Sequence, residues 1–118
     1  MVHLIFCLRR LPHLSREEFQ SYWRNVHAPL VARHAKTLGI QRYVQAHTID
    51  PAASRAIAES RGAPDPYDGV AEIWFDLEAL ARDSKAIEAG KELIEDERKF
   101  IDLTRSPIFL TEDNVVVG

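Results

Sequence analysis

The sequence predicts an α+β fold in the order strand, helix, strand, strand, helix, strand. Three observations lead there: period-two alternation of side chains near the N-terminus, a capped amphipathic helix directly after it, and a second succession of alternation followed by helical periodicity later in the 118-residue chain.

Residues Val2 to Arg9 are dense in β-branched and apolar side chains, with His3, Ile5, Cys7 and Arg9 on one face and Val2, Leu4, Phe6 and Leu8 on the other. Pro12 then falls in a turn. Ser15 is a natural N-cap and Glu18, three residues on, completes a capping box, so a helix begins there. Phe19, Tyr22, Trp23, Val26 and Leu30 recur at three- and four-residue steps and form one stripe that has to be buried. Pro29 removes a backbone donor and clashes with the preceding turn, which predicts a kink, a second short helix from Leu30 to Leu38, and Gly39 as the stop.

Ile40 to Ile49 alternates again, with Gln41, Tyr43, Gln45 and His47 on one face and Ile40, Arg42, Val44, Ala46 and Thr48 on the other. Residues 50–67 hold three prolines and a glycine around an Ala-rich stretch able to make a helical turn or two, a variable loop long enough to be functional. Asp68 to Asp76 reads as a third strand, Val70, Glu72 and Trp74 opposite Ala71, Ile73 and Phe75. Two helical segments hinged near Gly90 follow, with Leu77, Leu80, Ala81, Leu93, Ile94, Phe100 and Ile101 as expected core contacts. Ile108 to Val117 is apolar enough for a final strand.

This order is the split βαβ, or ferredoxin-like, arrangement: a four-stranded antiparallel sheet with both helices on one face. Its other face stays bare, with an expected lining that includes Trp74 and Tyr43, and a soluble monomer seldom exposes so large a partly apolar surface. Two such sheets face to face supply eight strands, enough to close around side chains or one small ligand. One domain spanning residues 1–118 and a homodimer forming an α/β barrel are therefore expected.

Composition narrows the partners. A hydrophobic fraction of 46% with 28% charged residues suits a folded soluble domain, and a formal net charge of -3 argues against nucleic acid or an anionic membrane. The opening "MVHLIFCLRR" is too short an apolar run for a signal peptide or a spanning helix, and the single cysteine agrees with a reducing compartment, so a cytoplasmic protein is expected. His27 and His34 lie two turns apart, roughly 10 Å along a helix, too far to share a metal. Without a zinc-type Cys/His cluster or a glycine-rich nucleotide loop, no metal or cofactor is expected.

The run Phe19, Tyr22, Trp23, His27, Ala28, Pro29, Leu30, written F-x-x-Y-W-x-x-x-H-A-P-L, resembles the signature of the EthD-domain family within the dimeric α/β barrel superfamily. "RYVQAH", "YDGVAEIWF" and "EDERKFID" are similar to further blocks of that family, so the resemblance covers nearly the whole chain except the loop after Asp50. It implies a homodimer with a small-molecule pocket between helices and sheet or inside the barrel, usually without metal or organic cofactor. Relatives of this kind include isomerases of lactones, cyclases of polyketide intermediates and cofactor-free quinone-forming monooxygenases, so the fold alone does not name a reaction.

Among residues able to do chemistry, His27 stands next to the helix breaker, where a kink aims its ring into a pocket and partial burial tunes its pKa. It reads either as a general base or acid or as a structural histidine satisfying carbonyls freed by the kink. His47 shares a face with Tyr43 and Gln45 that is either solvated or lines a polar lumen, and the dimer favours the lumen. The resemblance implies that a helix histidine, a strand tyrosine and a further histidine bind substrate and move protons, and His27, Tyr43 and His47 are the matching positions. Trp23 reads as pocket wall. Glu72 beside Trp74 is a carboxyl with a tunable pKa or a plain ion-pair partner of Arg9 or Arg42. Cys7 shares the parity of His3 and faces the lumen or serves as a small buried hydrophobe. Asp96 and Asp102 read as a solvated helix face, with the resemblance around "ERKFID" implying, as the alternative for Asp102, a cap or the lining of a pocket end. The expected activity is cofactor-independent proton transfer (isomerase, cyclase or lyase type) on a lactone, phenolic or polyketide-like intermediate of aromatic catabolism or secondary metabolism. Its alternatives are a non-catalytic dimeric binding protein and a cofactor-free monooxygenase.

Overall fold

The computed structural model describes residues 1–118. Its four strands are β1 (Val2–Leu8), β2 (Ile40–His47), β3 (Gly69–Phe75) and β4 (Ile108–Thr111). Its helices are α1 (Arg16–Tyr22), α2 (Ala28–His34), α3 (Ala52–Glu59), α4 (Leu77–Arg82) and α5 (Ala86–Glu97), with a π turn at Trp23–His27 and a 3-10 turn at Leu103–Arg105. The sheet order is β2-β3-β1-β4 with every neighbour antiparallel, the ferredoxin-like arrangement. None of the helices is long and apolar enough to cross a membrane.

Register assigns the faces. Leu4, Phe6 and Leu8 look toward the helices together with Tyr43, Gln45, His47, Ala71 and Phe75, and Phe6, Leu8 and Ala71 pack in one cluster with Phe19, Trp23, Phe100 and Ile101. His3, Ile5 and Cys7 share the opposite face with Val70, Glu72 and Trp74 and, from β2, with Arg42, Val44 and Ala46. The alternation within each strand is as read from the sequence except at the start of β2, where an irregularity between Ile40 and Arg42 sets Ile40 opposite Phe75 on the helix side, away from Arg42, Val44 and Ala46. Placing Tyr43 and His47 in a lumen alongside Trp74 is corrected: they lie on the helix side, because their parity matches that of the core residues Ala71 and Phe75.

The first helix opens as expected. Ser15 Oγ accepts from the Glu18 amide at 3.0 Å, and the Glu18 carboxylate accepts from the Ser15 amide at 3.0 Å, satisfying two otherwise orphaned donors. The helix does not break at Pro29. The turn before it widens instead, the Ala28 amide reaching back five residues to the Trp23 carbonyl, and the helix continues through Pro29. This extra residue per turn carries His27, in place of Val26, onto the inward face: Val26 is exposed, while Trp23, His27 and Leu30 are buried.

Three other expectations change. The break in the second helical region falls at Asp83–Lys85, where α4 ends and the Asp83 side chain accepts from the Lys85 amide, whereas Gly90 sits inside α5. Leu77, Leu80, Ala81 and Ile94 are exposed, whereas Phe100 and Ile101 are buried as expected and Ala86 and Ala89 are buried with them. Finally, β4 ends at Thr111 instead of Val117, because Asp113 turns onto the bare face and accepts from the indole N–H of Trp74 at 3.0 Å. The 50–67 segment carries two turns of helix as α3, none of it buried.

The joint between helix and sheet is the contact of Trp23 with Gly69. Trp23 is fully buried, and a Cβ built on Gly69 would stand 2.4 Å from its Cζ3 and 3.0 Å from the Ala46 carbonyl. Only a residue without a side chain admits the indole this close to the strand. Gly69→Ala is therefore expected to destabilise the protein by about 2 kcal/mol, the usual cost of overpacking a core. Urea unfolding followed by circular dichroism and tryptophan fluorescence measures it, and an unchanged midpoint would show that the indole has room to move.

Candidate active site

The π turn delivers His27 to the junction with α5. The residue is 4% exposed and its ring packs 5.1 Å from the ring of Phe100. The Nδ1–H donates to Asp96 Oδ2 at 2.7 Å, and the Tyr22 hydroxyl donates to Asp96 Oδ1 at 2.6 Å. Asp96 is thus a buried carboxylate held by two donors from the first helix, with Lys99 at 3.7 Å. Burial alone would raise its pKa, but the bonds from Tyr22 and His27 outweigh that and hold it below the ordinary range. The same geometry pushes the Tyr22 phenol up to about 12, through burial first and the Asp96 carboxylate second. Reading Asp96 as part of a solvated face is therefore corrected. It lies four residues before the core residue Phe100, as Glu97 does before Ile101, and that i,i+4 relation to buried positions is the signal in the sequence.

With Nδ1 committed to Asp96, the neutral imidazole keeps its lone pair on Nε2. Burial lowers the pKa of His27 and Asp96 partly offsets the fall, so the neutral form is favoured. Facing Nε2 at 4.0 Å is the carboxyl of Glu97, which makes no hydrogen bond within the protein. Burial, with the nearby charge of Asp96 adding to it, raises Glu97 to about 7. A gap of 4.0 Å is too long for a direct hydrogen bond, but it lets one bridging atom sit about 2.9 Å from both groups.

The strand side contributes Tyr43, Gln45 and His47. Gln45 Nε2 donates to the Trp23 carbonyl at 3.0 Å and to the Tyr43 oxygen at 2.8 Å, and its carbonyl oxygen accepts from His47 Nε2–H at 2.8 Å. His47 then stands tilted against the Trp23 ring, centroids 4.5 Å apart, with Nδ1 accepting from Arg24 at 3.4 Å. Both nitrogens of His47 are occupied, and burial together with the Arg24 charge lowers its pKa. Tyr43 is different: its oxygen accepts from Gln45, which leaves the phenolic proton without a protein acceptor. Burial raises the Tyr43 pKa, and the charge of Glu97 contributes to the rise, so the phenol stays protonated and lies within electrostatic reach of Glu97.

The residues singled out from sequence therefore divide between two faces. His27, Trp23, Tyr43 and His47 meet in the helix–sheet layer, although His27 shares no hydrogen bond with Tyr43 or His47. Cys7, Glu72 and Trp74 lie across the sheet. There the Glu72 carboxylate is 3.1 Å from His3 Nε2, not on Arg9 or Arg42, and His3 stacks on Trp74 with centroids 4.0 Å apart. Cys7 is half-buried, and burial pushes its thiol up, away from a nucleophilic thiolate. Glu97, which sequence reasoning missed, is the group closest to the free nitrogen of His27.

A ferredoxin-like α+β domain with a buried carboxylate–histidine pair facing a second, protonatable carboxyl is the class that fold and geometry define. The EthD domain model matches residues 11–104, and the chain belongs to that family. Among solved structures it is similar to an ethyl tert-butyl ether D (EthD) family protein from Bacillus halodurans, at 21% identity and a TM-score of 0.65 over 97% of this chain and 99% of that one. HapK from Hahella chejuensis shares 14% identity at a TM-score of 0.60, covering 100% of this chain and 96% of its own. A dimeric protein of ferredoxin-like fold and unknown function from Bacteroides fragilis gives 14% and 0.56, with 95% of each chain covered. No protein of curated function matches the sequence.

The state of Glu97 makes a measurable demand on stability. Its pKa rises from 4.5 to about 7 on folding, so between those values the folded state holds a proton that the unfolded chain has released. Stability contributed through Glu97 consequently falls as pH climbs through that window, by about 3 kcal/mol in all. Glu97→Gln, which keeps the shape without the charge, is expected to be more stable than the parent by up to about 3 kcal/mol near pH 8 and nearly equal to it near pH 4.5. Urea denaturation at the two pH values decides it, since the same difference at both would deny Glu97 its raised pKa.

Proposed function

We propose that this protein catalyses proton transfer next to a carbonyl in a small lactone, phenolic or polyketide-like molecule, leading to isomerisation, cyclisation or elimination. The observation that carries the reading is the free Nε2 of a neutral, oriented His27 set 4.0 Å from a carboxyl that exchanges protons near neutral pH. His27 Nε2 removes a proton from the carbon next to the carbonyl, and the electron pair left behind moves onto the carbonyl oxygen as an enolate. The Tyr43 hydroxyl donates to that oxygen. Protonated Glu97 returns a proton to a neighbouring atom of the substrate, and His27 then passes its own proton to Glu97, restoring both groups. Asp96 holds the tautomer and stabilises the transient imidazolium, while Tyr22 keeps Asp96 in place. His47 positions Gln45, and through it Tyr43, since neither of its nitrogens is free.

The burial of His27 favours a second reading, a binding protein that shelters a hydrophobic intermediate without reacting it. Deuterium separates the two. A panel of lactones, phenols and linear β-polyketones is incubated with the protein in D2O, and incorporation at the carbon next to the carbonyl is followed by NMR. Catalysis predicts exchange of at least one compound that falls by about a hundredfold to ten-thousandfold in His27→Gln and by a comparable factor in Asp96→Asn, where the amide no longer dictates which ring nitrogen carries the proton. Binding of a compound with no exchange above the buffer rate would replace this reading with the second.

A homodimer formed through the bare sheet face belongs to the same reading. Ile5, Val44 and Val70 lie on that face with Trp74, and Phe109, paired with Ile5 and 48% exposed, extends it toward the edge strand. Val44→Glu with Phe109→Glu is expected to weaken self-association by about tenfold or more, because each places an unpaired charge in an apolar contact. Sedimentation velocity reads the change, and a parent protein that is monomeric at micromolar concentration would remove the dimer.

A further inference from the structure

A cavity of about 490 Å³ opens where β1 runs into α1, between the 50–67 segment and the 3-10 turn before β4. Apart from Pro12 and Pro66 its wall consists of charged side chains. Arg9, Arg10, Arg16, Arg55 and Arg105 line it, five of the chain's eleven arginines, with no lysine among them. Asp50, Asp65 and Asp68 are the acidic residues of the wall, so five positive charges face three negative ones, an excess of two in a chain whose formal net charge is -3.

The arginines are held in place by groups that do not exhaust them. Asp68, with a side chain 4% exposed, takes the Arg10 guanidinium, the Arg16 Nε–H at 3.1 Å and the Arg10 amide at 2.9 Å. Those bonds outweigh the cost of burial and hold its carboxyl below the ordinary range, so it stays charged as an anchor. Arg9 lies over the Tyr67 ring at 4.2 Å and donates one N–H to the Pro66 carbonyl. Arg55 pairs with Asp50 at 3.1 Å, and Arg105 has only Asp102 at 3.7 Å. A guanidinium carries five N–H donors in a planar fork, and most of the donors in this group have no protein acceptor. Planar forks fixed by stacking and by a buried carboxylate are suited to two-pronged recognition of phosphate or carboxylate oxygens.

The geometry points to this cavity as a binding site for a small polar molecule carrying about two negative charges on phosphoryl or carboxylate groups. Its wall is unlike the aromatic surroundings of His27, and the inference does not depend on the reaction assigned there. The excess of two charges selects a dianion over a monocarboxylate, and a single cavity of about 490 Å³ selects a small molecule over a polymer.

Isothermal titration of the full chain at low ionic strength tests it with three probes: pyrophosphate, citrate and acetate. Saturable one-to-one binding of pyrophosphate or citrate, much tighter than acetate, is expected. Binding of pyrophosphate alone assigns a phosphoryl ligand, and binding of citrate alone a polycarboxylate. Arg55→Ala with Arg105→Ala removes two exposed guanidinium groups that anchor no core residue, and is expected to weaken the bound probe by about tenfold or more. Arg98→Ala, on the surface of α5 beside Glu95, should bind as the parent does. Circular dichroism checks that the variants fold, and Arg105→Gln alone repeats the test if the double variant does not. Failure of both pyrophosphate and citrate to saturate the parent, or equal affinity in the parent and the folded cavity variant, or an equal loss in Arg98→Ala, overturns the site.

Discussion

A carboxylate buried between two helices has to be answered by donors or it destabilises the fold, and Asp96 is answered by Tyr22 and His27. That constraint ties the first helix to α5 and sets the geometry of the layer. It fixes which nitrogen of His27 carries the proton, turns the other toward Glu97, and places Tyr22 and His27 against Phe100, their ring centroids 5.0 and 5.1 Å from it. The aromatic contacts supply the apolar burial, and the carboxylate supplies the orientation.

The π turn makes this arrangement possible. A regular helix would present Val26 near the core and carry His27 toward the rim, whereas the widened turn buries Trp23 and His27 one above the other ahead of Pro29. Trp23 then settles on Gly69, and the Gln45 bond to its carbonyl links the turn to β2. The helix-facing side of the sheet is therefore a polar relay set into an aromatic core, running from His47 through Gln45 to Tyr43. The far side holds a separate group, His3 between Glu72 and Asp113 and stacked on Trp74, that pins the C-terminal residues to the sheet.

Asp68 plays a part comparable to that of Asp96. Each is a buried carboxylate with more than one donor, and each organises a group of side chains drawn from distant parts of the chain. Around Asp96 the result is a buried histidine–carboxylate pair; around Asp68 it is an arginine-lined cavity. One small domain thus holds two chemically opposite environments, separated by the Leu8, Phe19 and Ile101 core.

The sequence by itself determined the element order, the capping box at Ser15, the alternation of β1, β3 and most of β2, and the family, because each rests on neighbours a few residues apart. His27 also stood out, since it lies beside Pro29 within a recognisable motif. Only the tertiary structure decided which side of each strand the helices cover, which sent Tyr43 and His47 to the helix layer and Glu72 and Trp74 to the other face. It also decided that the proline would be met by a widened turn, that Asp96 and Glu97 would point inward, and that five dispersed arginines would converge. The physical reason is that alternation shows which side chains share a face, while the choice of buried face depends on contacts such as Trp23 on Gly69 that join residues far apart in the chain.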